Sequence, residues 1–140
     1  MENGKSIVLY VEDEENDRIL MQLAFEKAGL ETALRMVSHG QEAIDFLSGS
    51  GPFRQRELYP LPAVVLLDLN LPGMPGFEVL KWIRRHPAHR ELPVVVFTSS
   101  AREEDRDRAR ELGANEFVQK PLMPSGFQTM ARRLGDQWLL

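Results

Sequence analysis

The sequence predicts a doubly wound α/β domain built on a parallel sheet, and three observations carry that prediction. Short apolar runs alternate with longer amphipathic segments along the 140 residues, giving five β-α pairs with no internal repeat. Right-handed crossovers then place helices on both faces of one sheet. Four of the runs end in residues that carry chemistry: Glu12-Asp13, Asp68, Thr98-Ser99 and Lys120. In an open α/β sheet the functional crevice lies at the carboxyl ends of the strands.

Ile7 to Val11 reads as a buried strand by its length and β-branched content. Helical spacing follows from Asn16 to Ala28, with Gly29 as the residue that stops the helix. Thr32 to Val37 is a second, less apolar strand, nearer an edge. Gln41 to Leu47 carries apolar residues at Ala43, Ile44 and Leu47 and reads as a helix. Ser48 to Pro62 is rich in Gly, Pro and Ser and reads as a long loop, a class that is usually functional or mobile. Ala63 to Leu67 is the most buried strand. Pro75 suits the first turn of the next helix, where its missing N–H costs nothing, and Phe77, Leu80, Trp82 and Ile83 carry that helix to His86-Pro87. Pro93 opens a fourth strand, Val94 to Phe97. Arg102 to Leu112 is a charged helix closed by Gly113, Phe117 and Val118 make a short fifth strand, and Gly126 to Trp138 is the last helix.

The length suits a single domain over residues 1–140, with no residues left for an output domain. A net charge of −4 and the absence of a basic patch argue against nucleic acid as a partner. There is no cysteine, which excludes disulfides and thiolate metal sites and fits a cytoplasmic location. Met1-Glu2-Asn3-Gly4-Lys5 lacks the apolar core of a signal peptide, and no apolar run is long enough to span a membrane.

A lone strand-end aspartate most often caps a turn. Four strand ends with matching polar residues point instead to a hard divalent cation and a phosphoryl group. A carboxylate attacking a phosphoryl dianion meets charge repulsion, and Mg²⁺ relieves it while taking a few carboxylates, waters and phosphate oxygens as ligands. Asp13 and Asp68 are the expected direct ligands, Glu12 binds directly or through water, and the Asn70 backbone carbonyl offers another oxygen. Lys120 is a point charge for a phosphate oxygen or for the Asp68 carboxylate, and Thr98 offers a hydroxyl donor. Pro121 fixes a tight turn after the fifth strand, with the isomer of its peptide bond left open. His39, His86 and His89 show no metal-like clustering and read as exposed structural residues. The charges from Arg102 to Glu111 read as a solvated helix face. Gly49-Ser50-Gly51 is not a phosphate loop, because no Gly-Lys-Ser/Thr follows it.

This pattern resembles the receiver domain of two-component response regulators over essentially the whole chain. The matching pieces are Val11-Glu12-Asp13, Leu67-Asp68-Leu69-Asn70-Leu71-Pro72-Gly73, Thr98-Ser99-Ser100, and Gly113-Ala114 followed by Lys120-Pro121. The resemblance implies a flavodoxin-like fold with strand order 2-1-3-4-5. It makes Asp68 the phosphoacceptor for a partner histidine kinase, Glu12 and Asp13 the Mg²⁺ pocket, and Thr98 and Lys120 the readers of the phosphoryl group. Phe117 takes the aromatic switch position, turning inward when Thr98 moves, and output passes through protein contacts. Such a protein is not an enzyme beyond self-phosphotransfer and slow autodephosphorylation. The chain looks closest to the stand-alone regulators of bacterial phytochrome kinases. The insert before the third strand, Leu66 to Pro72, Glu103-Glu104-Asp105 and a Trp near the C-terminus carry that likeness. Pro75-Gly76 stands where Asp-Gly is frequent, a departure expected to touch a helix start and not the pocket. Met123-Pro124 replaces a more usual acidic residue.

The first helix has more apolar residues than one face needs: Ile19, Leu20, Met21, Leu23, Ala24 and Phe25. They form either a wide core stripe or a docking surface for a kinase helix bundle. A rival reading is a haloacid-dehalogenase-type Mg²⁺-dependent phosphatase, which also uses a strand-end Asp. It carries a second acid two residues on, where this chain has Asn70. A flavodoxin-like electron carrier would need a phosphate loop after the first strand, where Glu12-Asp13-Glu14-Glu15 repels phosphate. The tip Trp138-Leu139-Leu140 either folds onto its own sheet or pairs with a second copy. The phytochrome-associated regulators tend to pair through this end, so the expectation is a homodimer through the last helix and tail.

Overall fold

The computed structural model describes residues 6–139. Residues 1–5, on which the leader reading rests, and Leu140, part of the apolar tip, lie outside the described residues. The order is β1 (Val8–Val11), α1 (Glu15–Lys27), β2 (Leu34–Val37), α2 (Gly40–Ser48), β3 (Val64–Leu67), α3 (Gly76–Arg85), β4 (Val94–Thr98), α4 (Glu103–Glu111), β5 (Glu116–Gln119) and α5 (Pro124–Trp138). All four strand pairings are parallel and the order across the sheet is β2-β1-β3-β4-β5. No described helix is long and apolar enough to cross a membrane.

Strand side chains alternate between two cores, as the period of two requires. Val8, Tyr10, Val64, Leu66, Val95 and Phe97 face Met21 and Phe25 of α1 and Phe127, Met130 and Leu134 of α5. Leu9, Val11, Val65 and Leu67 face Phe46 and Leu47 of α2 and Val79, Leu80 and Ile83 of α3. Val96 meets Ala109 of α4, with Phe117 packed beside them. The central strands β1, β3 and β4 are buried throughout, which is why they read as unbroken apolar runs.

Element ends differ from the expectation by a residue or two, for local reasons. Glu31–Ala33 form a 3₁₀ turn, so β2 starts at Leu34 and not at Thr32. Pro75 is the N-cap of α3 and not its first-turn residue. The segment from Ser48 to Pro62, expected to be a long loop, starts on the last residue of α2, holds a 3₁₀ turn over Gly51–Phe53 and is anchored. Phe53 and Tyr59 pack with Phe46 of α2 at ring separations of 5.1 and 5.8 Å. The Arg56 guanidinium donates to the carbonyls of Phe46 (2.7 Å), Leu47 (2.6 Å) and Tyr59 (3.0 Å), satisfying the C-terminal carbonyls of α2.

The histidine reading also needs correction. His89 is buried, and its ring stacks on Trp82 at 5.8 Å and lies 4.8 Å from that of His86. Burial lowers its pKa, and the nearby charges of His86 and Arg56 add to that. Pro87 does break α3 before His89, but the turn beyond it folds the ring back onto the helix. On α1, Met21, Ala24 and Phe25 form the core stripe, while Ile19 and Leu23 are about half exposed. At the other terminus, Trp138 and Leu139 are partly buried against the α1/α5 core, so the tip is not water-exposed as a whole.

Candidate functional site

Strand register builds the site. Val11 of β1 is paired with Leu67 of β3, so the next residues, Glu12 and Asp68, emerge side by side. The ladder runs on past the strands: the Glu12 amide donates to the Val37 carbonyl at 3.0 Å and the Asp68 amide to the Val11 carbonyl at 3.2 Å. Thr98 of β4 is paired with Gln119 of β5, which delivers Lys120 to the same edge.

One carboxylate oxygen from each of Glu12, Asp13 and Asp68 lies within 4.8 Å of the others. Glu12 is fully buried, Asp68 is 3% exposed and Asp13 is open to solvent. The Lys120 ammonium donates to Asp17 Oδ2 at 2.7 Å and to Asp68 Oδ2 at 3.1 Å, and it forms an ion pair with Glu12 Oε1 at 2.7 Å. Glu12 also accepts from the Tyr10 hydroxyl and the Glu14 amide, both at 3.1 Å. The Asn70 amide donates to Asp68 Oδ1 at 3.3 Å. The Thr98 hydroxyl is buried and accepts from the Ser100 amide at 3.3 Å.

The electrostatics follow from burial beside like charge. Burial pushes the Glu12 carboxyl up to about 7, and the Asp68 charge adds to this against the pull of Lys120 and the Glu14 amide. For Lys120 burial alone would lower the pKa, but its bonds to Asp17 and Glu12 and the Asp68 charge raise it on balance. Tyr10 is raised by burial and by Glu12, so it remains a neutral donor. An all-oxygen set of clustered carboxylates, two of them withdrawn from water, fits a hard divalent cation.

Two residues at this edge escaped the sequence reading. Tyr10 looks like a core strand residue, and only the rule that a buried hydroxyl seeks a partner marks it. Asp17 looks like an acid complementing the α1 dipole, and nothing in its spacing announces the Lys120 bond. Gly76 is a third surprise. A Cβ there would lie inside contact distance of the Asp68 carbonyl oxygen and 2.8 Å from Leu69 Cα, so the Pro75-Gly76 start of α3 does bear on the site.

Phe117 sits at the rim of a cavity of about 250 Å³ between α4 and β5, with the Arg106 guanidinium 4.8 Å from its ring centre. Pro121 follows Lys120 through a trans peptide bond and leads to Leu122 and Met123, both exposed.

Residues 8–132 match the model of the response regulator receiver domain. The chain belongs to the response regulator receiver family. Response regulator Rcp1 of Synechocystis is 33% identical over 137 residues, covering 98% of this chain and 91% of its own length. The structure of its Mn(2+)-bound form superposes with a TM-score of 0.82, covering 96% of this chain and 94% of that one. The phosphorylated cyanobacterial phytochrome response regulator RcpA is 29% identical with a TM-score of 0.86, covering 97% and 95% of the two chains. The bacteriophytochrome response regulator RtBRR is 39% identical with a TM-score of 0.79, covering 98% and 82%. This receiver domain therefore stands among phytochrome-associated regulators, and its acidic cluster is consistent with a divalent cation.

Proposed function

We propose that the protein is a single-domain response regulator in which Asp68 accepts a phosphoryl group from a partner histidine kinase. The observation that carries this reading is the setting of the Asp68 carboxylate, nearly buried between the Lys120 ammonium and the Glu12-Asp13 acid pair. An Asp68 oxygen forms a bond to the phosphorus of a phosphohistidine. The P–N bond breaks, its electron pair stays on the imidazole nitrogen, and one proton, carried by the other ring nitrogen of the phosphohistidine or taken from water, leaves the kinase histidine neutral. Glu12, Asp13, Asp68 and the Asn70 carbonyl would hold Mg²⁺, which when bound neutralises the repulsion between carboxylate and phosphoryl oxygens. Lys120 and the Thr98 hydroxyl then donate to phosphoryl oxygens. Thr98 drawn towards the phosphoryl group leaves room for Phe117 to turn inward, which alters the α4-β5-α5 surface.

Asn70, in place of a second acid, supports a receiver over a phosphatase, because no acid there can protonate a leaving alkoxide. The protein on this reading does not turn over phosphate esters, although it loses its own phosphoryl group slowly. The company of phytochrome regulators supports light signalling as the pathway and a bacterial phytochrome as the kinase. A cytoplasmic location follows from such a kinase partner. The half-exposed Ile19 and Leu23 on α1 suit docking of a kinase helix bundle. Acetyl phosphate with Mg²⁺ should label the protein once, as read by intact mass, and Asp68→Asn should abolish the label. Undiminished labelling of that variant would refute the assignment.

A further inference from the structure

We infer that Asp17 is a positioning residue for the phosphoryl site: it holds the Lys120 ammonium before phosphorylation and is the partner that Lys120 gives up to the phosphoryl group. This deepens the reading of Asp68 as the phosphoacceptor and rests on it. A lysine ammonium has three N–H donors. Three carboxylates crowd this one: it donates to Asp17 and Asp68 and is ion-paired with Glu12 at 2.7 Å. With carboxylate oxygens already at 2.7, 2.7 and 3.1 Å, a phosphoryl oxygen on Asp68 comes within reach of Lys120 at the expense of one of them.

The three partners are not equivalent. Glu12 is fully buried and fixed by Tyr10 and the Glu14 amide, so it is the partner least able to move away or to exchange the ammonium for water. Asp68 carries the phosphoryl group itself. Asp17 lies outside the carboxylate cluster that suits a cation, and its side chain is 21% exposed, so water can replace the bond it loses. Asp17 also adds a negative charge beside a site that must take up a dianion. It thus favours the unphosphorylated state twice over, by occupying Lys120 and by repelling the phosphoryl oxygens.

Fluoroberyllate with saturating Mg²⁺ is a phosphoryl probe that needs no kinase, and its affinity is readable from the chemical shifts of the backbone. Asp17→Asn should bind it about fivefold or more tightly than the wild type. Asp17→Glu keeps the charge and the reach, so it should return the affinity towards the wild-type value. In a crystal structure of the wild-type fluoroberyllate form, Lys120 should have left Asp17 and should bond a fluoride. An unchanged or weakened affinity in Asp17→Asn, or a Lys120-Asp17 bond that persists in that structure, overturns the inference. A wild type that binds no fluoroberyllate would instead refute the phosphoacceptor reading, and this is visible before any variant is made.

Discussion

Glu12 shows how a single residue at this edge couples the site to stability. Its carboxyl is raised to about 7 because burial penalises the charged form, so the folded state binds a proton that the unfolded chain releases near the ordinary carboxyl value. Its contribution to stability is complete below that ordinary value and is lost as the pH rises through about 7. His89 works from the opposite side. Its folded pKa is lowered, so the stability it contributes is present above the ordinary imidazole value and is lost as the pH falls below it. Between the ordinary carboxyl value and about pH 7 the Glu12 contribution should therefore make urea midpoints of the metal-free protein fall with rising pH, with His89 opposing it below the ordinary imidazole value, and Glu12→Gln should remove that fall. An equal slope in the variant would place the titration elsewhere. Saturating Mg²⁺ should also reduce the slope, because a cation favours the charged carboxylate as Lys120 does. None of this is readable from Glu12 as a letter, since a strand-end acid looks the same whether it is solvated or enclosed.

At the scale of elements, Arg56 joins two pieces that the sequence reads separately. It ties the end of α2 to the insert through three carbonyls, while Phe53 and Tyr59 close over Phe46. Arg56→Ala should cost about 1–3 kcal/mol, because it removes the donor from partly buried carbonyls, and a urea midpoint would record it. A shift below a few tenths of a kcal/mol would mean that water replaces the guanidinium without loss. The order and type of the helices and strands were legible because each buried strand is a continuous apolar run, and the segments between them carry helical apolar spacing or, in α4, a charged run closed by Gly113. The insert was not, because its order comes from one guanidinium and two aromatic rings meeting α2 and leaves no periodic trace. His89 escaped for a similar reason: the stack on Trp82 spans a helix end and a turn, where no regular spacing applies. The close fit of Gly76 under Asp68 is likewise a contact between α3 and the β3 end, invisible to either segment alone.

At the scale of the whole molecule, parallel register turns separate strand ends into one site, and this is why Glu12, Asp13, Asp68, Thr98 and Lys120 group together from sequence alone. The same reasoning does not reach contacts between copies. Trp138 and Leu139 are already partly covered by their own core, which removes part of the drive for pairing that a bare apolar tip would supply. A shallow cleft remains, lined by Ala28 and Leu30 beyond α1 and by Arg132, Gly135, Asp136 and Leu139 of the last helix and tail. A stable dimer buries on the order of 1,600 Å² in total, more than a tip can supply, so a dimer of this chain would need the length of α5 as well. That helix has 15 residues and spans about 22 Å. A two-fold axis beside it lets each copy place Leu139 against the other's cleft, since a two-fold interface uses one patch twice. Sedimentation at micromolar concentration should give a dimer for the intact chain. Leu139→Arg leaves Trp138 in place, and the buried charge should shift the protein to monomer while its far-UV circular dichroism stays that of the folded domain. An intact chain that sediments as a monomer, or a Leu139→Arg variant as dimeric as the wild type, would remove the tail from the interface.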